Sequence, residues 1–135
     1  MTKSYNKTFK SKSTLLPKIE DFVLDIVKKT KISEVKLNKL EMAVAEAAAN
    51  CVLHGNKSDE NKKVEVTIIV ENNKLIVKFK DQGTGFKIDE IPDPTKPENI
   101  LKNSGRGVHI MKAFLDNLEY NFTPSGTETI LTVII

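Results

Sequence analysis

Between Leu15 and about Lys29 the apolar residues Leu15, Leu16, Ile19, Phe22, Val23, Ile26 and Val27 recur at intervals of three and four, the spacing of one helix face. Pro17 falls in the first turn of that helix, where its missing N–H leaves no bond unmade. A second helix is predicted from about Leu37 to His54, with Gly55 placed to end it. The period then changes from helical to alternating. In "VEVTIIV" the residues Val64, Val66, Ile68 and Val70 share one face, and in "KLIVKFK" Leu75, Val77 and Phe79 do so, with Glu71-Asn72-Asn73 as the turn between. This is an antiparallel pair with one buried face.

Residues 4–10 alternate weakly and predict an edge strand, while Lys87 to Ser104 hold three prolines and no sustained period, a long loop. A further helix is predicted from about Gly107 to Leu118 on Val108, Ile110, Met111, Phe114 and Leu115. It is followed by "LEYNF", a Pro124-Ser125-Gly126 turn and "TETILTVII". Helices followed by strands, with a loop and helix before the last hairpin, give an α+β fold: a two-layer sandwich with helices on one face of a mixed, mainly antiparallel sheet.

Composition narrows the class. With 135 residues, 39% of them hydrophobic, the chain buries one core, and residues 1–135 read as a single domain. No run reaches the roughly 18 apolar residues of a membrane helix, and the start, MTKSYNKTFK, lacks a signal peptide's apolar block, so a soluble cytoplasmic protein is expected. The single cysteine, Cys51, excludes an internal disulfide and reads as a small core residue. Residues 1–40 carry ten lysines against four acids, a net of +6, and the remainder 11 bases against 14 acids, a net of −3. The lysines are dispersed, Arg106 is the only arginine and no aromatics interleave with them, so direct nucleic-acid binding is not expected.

Three constellations carry chemistry. In "AEAAANCVLHGN" Glu46, Asn50 and His54 stand four apart, a slanting row on one helix face among small and apolar neighbours. They are either incidental polar groups or a working set: a Glu carboxylate is a general base towards a hydroxyl, and an Asn side-chain oxygen is a hard ligand suited to Mg²⁺. In "DQGTGF" Asp81 ends a strand and can accept from an exocyclic amine, with Gly83 and Gly85 after it, although a plain strand-ending turn uses the same residues. In "NSGRGVHIMKAF" Gly105 and Gly107 flank Arg106 where a helix begins, an arrangement that is either an anion site or a simple helix cap. His109 receives no role, and no G-x-x-x-x-G-K-S/T phosphate loop is present.

In their order and spacing these motifs resemble the GHKL ATP-binding superfamily: "EAAANCVLHGN" is similar to its N box, "DQGTGF" to its G1 box, "GRGVHIM" to its G2 box and "GTETIL" to its final turn and strand. The likeness spans essentially the whole chain and is nearest to the small anti-sigma-factor serine/threonine kinases. It implies the Bergerat-type sandwich, ATP and Mg²⁺. By position, Glu46 is then the catalytic base, Asn50 the Mg²⁺ ligand, and Asp81 the partner of the adenine amino group. Gly83 and Gly85 shape the pocket floor, Gly105, Arg106 and Gly107 hold phosphates, Thr127 lies near the adenine, Lys87 to Ser104 form a lid, and His54 gives a supporting hydrogen bond.

The implied activity is a protein kinase acting on an anti-sigma-factor antagonist and binding a sigma factor or similar partner in transcription regulation, with a homodimer through the N-terminal strand and helix. The alternative is a nucleotide-binding partner-switching module without phosphotransfer. The catalytic domain of a histidine kinase fits less well, because no dimerisation helix with a phosphoacceptor histidine precedes the fold. "GNKSDENKK" departs from the family pattern by extending the loop after the N box with charge.

Overall fold

The computed structural model describes residues 2–83 and 111–135. Strand β1 (Lys3–Lys10) leads through a 3-10 turn, Ser13–Leu15, into helix α1 (Leu16–Val27), and helix α2 (Glu34–Ala49) continues as a single π-helical turn, Asn50–Gly55. Strands β2 (Lys63–Val70) and β3 (Lys74–Lys80) follow, and after helical residues 111–114 the chain ends in β4 (Asn117–Thr123) and β5 (Gly126–Ile134).

The sheet order is β1-β2-β3-β5-β4, and each neighbouring pair is antiparallel. The expectation of a mixed sheet is therefore refined. Because both β3 and β4 run antiparallel to β5, they point the same way, but β5 occupies the place between them, so no parallel ladder forms. The β4–β5 hairpin turns on Pro124-Ser125, and Gly126, at φ 147, opens β5 in a backbone region that side chains rarely adopt.

Alternation decides which face of the sheet is buried. Val64, Val66 and Ile68 of β2, Leu75, Val77 and Phe79 of β3, and Leu131 and Val133 of β5 meet Ile19, Val23 and Val27 of α1 and Leu40, Ala43, Val44, Ala47 and Ala48 of α2 in one core. Cys51 belongs to that core, fully buried, as its sequence context implied.

Two element boundaries differ from expectation, and at a third, where the helical turn does end at Gly55, the means of ending differs. Helix α2 starts at Glu34 because Ser33 caps it, its hydroxyl accepting from Lys36 N at 3.2 Å. The first turn is solvated, with Val35 65% exposed, so no apolar period announces it. Gly55 does not stop the helix by a left-handed conformation. The positive φ values fall on Lys57 and Ser58 instead. The last helix does not run to Leu118: Asn117 and Leu118 already pair with Thr132 and Leu131, and the Asp116 carboxylate accepts from Ile134 N, which draws the chain into the sheet.

Candidate functional site

The end of α2, the end of β3 and the start of β5 meet at one corner of the inner sheet face, and most of the described candidate residues lie there. Asp81 is the first residue after β3. Its N–H donates to Thr127 O at 3.0 Å, extending the β3–β5 ladder by one rung, and its Oδ1 accepts from Gly83 N and Thr127 N, each at 3.0 Å. The side chain is fully buried, and Oδ2 has no partner among the described residues. Burial raises the Asp81 carboxyl above its ordinary value of 3.8, against the opposing effect of the Thr127 and Gly83 N–H groups and of Lys62. Beside it the Thr127 hydroxyl is also buried and without a partner among the described residues.

Three glycines permit close approach at this corner, one of them against the carboxylate itself. A Cβ on Gly55 would overlap Asp81 Oδ2, one on Gly126 would overlap the Asp81 carbonyl oxygen, and one on Gly83 would overlap the Gly55 carbonyl oxygen. The helical turn ends at Gly55, and the need for glycine there is the close approach of the helix end to Asp81 rather than a left-handed φ. Gly83 likewise meets the backbone of Gly55 directly.

Asn50 is buried, whereas Glu46, one turn earlier on α2, is half-buried. The Asn50 N–H bonds to both Ala47 O and Glu46 O, where α-helical winding gives way to the π turn closed by Asn56 N donating to Cys51 O at 2.8 Å. That change of winding takes His54 out of the row that α-helical spacing would make. The His54 side chain is exposed and takes no hydrogen bond among the described residues, so the expected supporting bond is absent there. Cys51 is inert: burial, reinforced by the Asp81 charge and opposed by the Thr129 hydroxyl, pushes its thiol far above the ordinary thiol range. Gly85, the Lys87 to Ser104 segment, Gly105, Arg106, Gly107 and His109 lie outside the described residues.

Sequence reasoning missed a second layer. Asn56 is fully buried; its Nδ2 donates to Ser11 Oγ and, at 3.0 Å, to Lys63 O, and its Oδ1 accepts from Gln82 N at 2.7 Å. Gln82 Oε1 accepts from Lys63 N at 2.7 Å, and Ser11 N donates to Lys62 O at 3.1 Å. The available signal was adjacency, since Asn56 follows Gly55 and Gln82 follows Asp81, but nothing in linear spacing says that the two meet.

An unpartnered buried acceptor next to an unpartnered buried hydroxyl suits an aminopurine edge, which offers an amine donor beside a ring nitrogen acceptor. Residues 9–133 match the histidine kinase-like ATPase domain. The anti-sigma F factor of Clostridium perfringens strain ATCC 13124 is 33% identical over 101 residues, 71% of either chain. That of Geobacillus sp. strain WCH70 is 34% identical over 87 residues, 62% of this chain and 58% of the relative.

Among solved structures, the RsbU and RsbW domains of Rv1364c from Mycobacterium tuberculosis superpose with a TM-score of 0.70 at 13% identity, over 97% of this chain and 32% of that one. The mycobacterial sensor histidine kinase MprB superposes with a TM-score of 0.60 at 16% identity, over 96% of this chain and 97% of that one. The fold is shared with both, and with a family match over residues 9–133 the chain belongs to the histidine kinase-like ATPase domain family.

Proposed function

We propose that the protein is an ATP-dependent serine/threonine kinase of the anti-sigma-factor type, which phosphorylates an anti-sigma-factor antagonist and binds a sigma factor or similar regulatory partner. The observation that carries the nucleotide reading is the buried Asp81 Oδ2 beside the buried Thr127 hydroxyl, both without a partner among the described residues. The relatives named anti-sigma F factor support the partner class.

In this reading the adenine amine donates to Asp81 Oδ2, the Thr127 hydroxyl serves the neighbouring ring edge, and Gly83 keeps the pocket floor thin. Asn50, buried just beyond the end of α2, would offer its side-chain oxygen, a hard ligand suited to Mg²⁺. When bound, Mg²⁺ neutralises charge on the β- and γ-phosphates. Glu46, half-buried one turn before Asn50, takes the proton of the attacking hydroxyl. Gly105, Arg106 and Gly107 are assigned to the phosphates by sequence motif.

A cytoplasmic location and a homodimer through β1 and α1 belong to the same reading. Among the described residues no helix is long and apolar enough to cross a membrane. In support of the dimer, β1 is an edge strand on which Phe9 alone is buried.

Nucleotide binding and phosphate transfer, measured with ATP, Mg²⁺ and a serine-bearing antagonist protein, test the proposal. Wild type should bind and transfer, Glu46→Ala should bind without transferring, and Asp81→Asn should do neither. Transfer and hydrolysis unchanged in Glu46→Ala would show that this carboxylate is not the base, and the kinase mechanism would be wrong.

A further inference from the structure

We infer that Asn56 is a positioning residue for base recognition, holding the Asp81-Gln82-Gly83 turn so that the Asp81 carboxylate meets the adenine amine. The inference rests on the nucleotide reading of the corner and gives a role to a residue to which the motifs assign none.

The turn after β3 is where the ladders run out. β2 and β3 pair as far as Glu65 and Lys80, and Lys63, the first residue of β2, has no backbone partner on β3. Side chains replace the missing rungs there. Lys63 O accepts from Asn56 Nδ2, and Lys63 N donates to Gln82 Oε1. Asn56 Oδ1 then takes the Gln82 N–H, the backbone donor between Asp81 and Gly83. On its other side the Asn56 amide reaches Ser11, just beyond β1. One fully buried side chain therefore ties the ends of three strands to the peptide that carries the recognition carboxylate.

The geometry of Asp81 depends on that peptide. Its Oδ1 is fixed by Gly83 N and Thr127 N, so the direction of the free Oδ2 follows from where Gly83 and Thr127 stand. Thr127 is held in the β-ladder. Gly83 is held through Gln82, whose N–H has Asn56 as its acceptor. Without Asn56 that part-buried N–H loses its acceptor, and the turn relaxes to satisfy it from solvent. Asp81 then loses one of the two donors that aim it.

The test compares ATP with inosine triphosphate, which places a carbonyl oxygen where adenine has its amine. Wild type should prefer ATP by roughly tenfold or more, the usual worth of one hydrogen bond to a charged group. Asn56→Ala should lose most of that preference, to within about threefold. Ser11→Ala, which leaves Asn56 its bonds to Lys63 O and Gln82 N, should keep it. A residue that only stabilised the fold would lower the melting temperature yet leave the ratio intact in the folded protein, so a preserved ratio in Asn56→Ala overturns the proposal. Wild type that binds neither nucleotide would instead remove the nucleotide reading itself, and wild type that binds both equally would overturn recognition of the amine by Asp81 and this proposal with it. Hydrogen exchange on the wild type gives a check without any variant: the Gln82 amide should be protected like that of Asp81, and rapid exchange there would refute the positioning role.

Discussion

A buried carboxylate that accepts two N–H bonds through one oxygen, with no partner for the other among the described residues, is held in a costly state. Burial raises the Asp81 pKa above 3.8, so between the unfolded and folded values the native chain keeps a proton that the unfolded chain has released. Stability therefore falls as pH rises through that window, and the cost persists at neutral pH. Asp81→Asn keeps an oxygen for Gly83 N and Thr127 N while removing the charge. It should melt no lower than wild type at pH 7, lose that relative advantage below about pH 3.8 and lose adenine-nucleotide affinity. Thermal melts across pH with parallel binding titrations check both halves. Conversely, an amine donating to Asp81 favours the ionised form, so ATP affinity in wild type should weaken as pH drops through the raised pKa. Gly126 is constrained from another direction: at φ 147, and with the Asp81 carbonyl oxygen where a Cβ would stand, Gly126→Ala combines backbone strain with overlap. A loss of about 3 kcal/mol or more is expected in denaturant unfolding.

Along the elements, strand pairing and helix faces were legible because one buried face imposes a period. Val64, Val66, Ile68, Leu75, Val77 and Phe79 alternate in sequence and lie buried in space. What the period did not report was anything without an apolar face. The first turn of α2 is solvated and is set by a cap, and Ser33→Ala should cost about 1 kcal/mol in unfolding free energy with the core intact. The π turn at Asn50–Gly55 was equally silent, since identical residues at four-residue spacing read as α-helix. Its consequence for the site is nonetheless large: Asn50 is buried and His54 exposed. Asp81 and Thr127 were readable from motif order, yet their union depends on β5 lying beside β3, a pairing of distant segments. Asn56 escaped for the same reason, because its partners Ser11, Lys63 and Gln82 are scattered through the sequence.

For the whole molecule, the position of the corner has thermodynamic consequences. The end of α2, the end of β3 and the start of β5 each carry part of the common core, through Val52, Phe79 and Leu131 among others, so a ligand held by Asp81, Thr127 and Asn50 bridges elements that separate on unfolding. A nucleotide that binds only the folded state then stabilises all of it by mass action, by about 2.7 kcal/mol at a ligand concentration 100-fold above Kd. For a domain of this size each kcal/mol moves the midpoint by roughly 3–5 °C, which gives a rise of roughly 10 °C. Differential scanning calorimetry with ATP and Mg²⁺ should show that rise as one cooperative transition in wild type. Asp81→Asn should show none at the same concentration, and Glu46→Ala should match wild type, because its carboxylate is assigned to the transferred proton and not to the bound base. A shift that persisted in Asp81→Asn would place the nucleotide elsewhere on the molecule, and a shift missing from Glu46→Ala would move Glu46 from chemistry to binding.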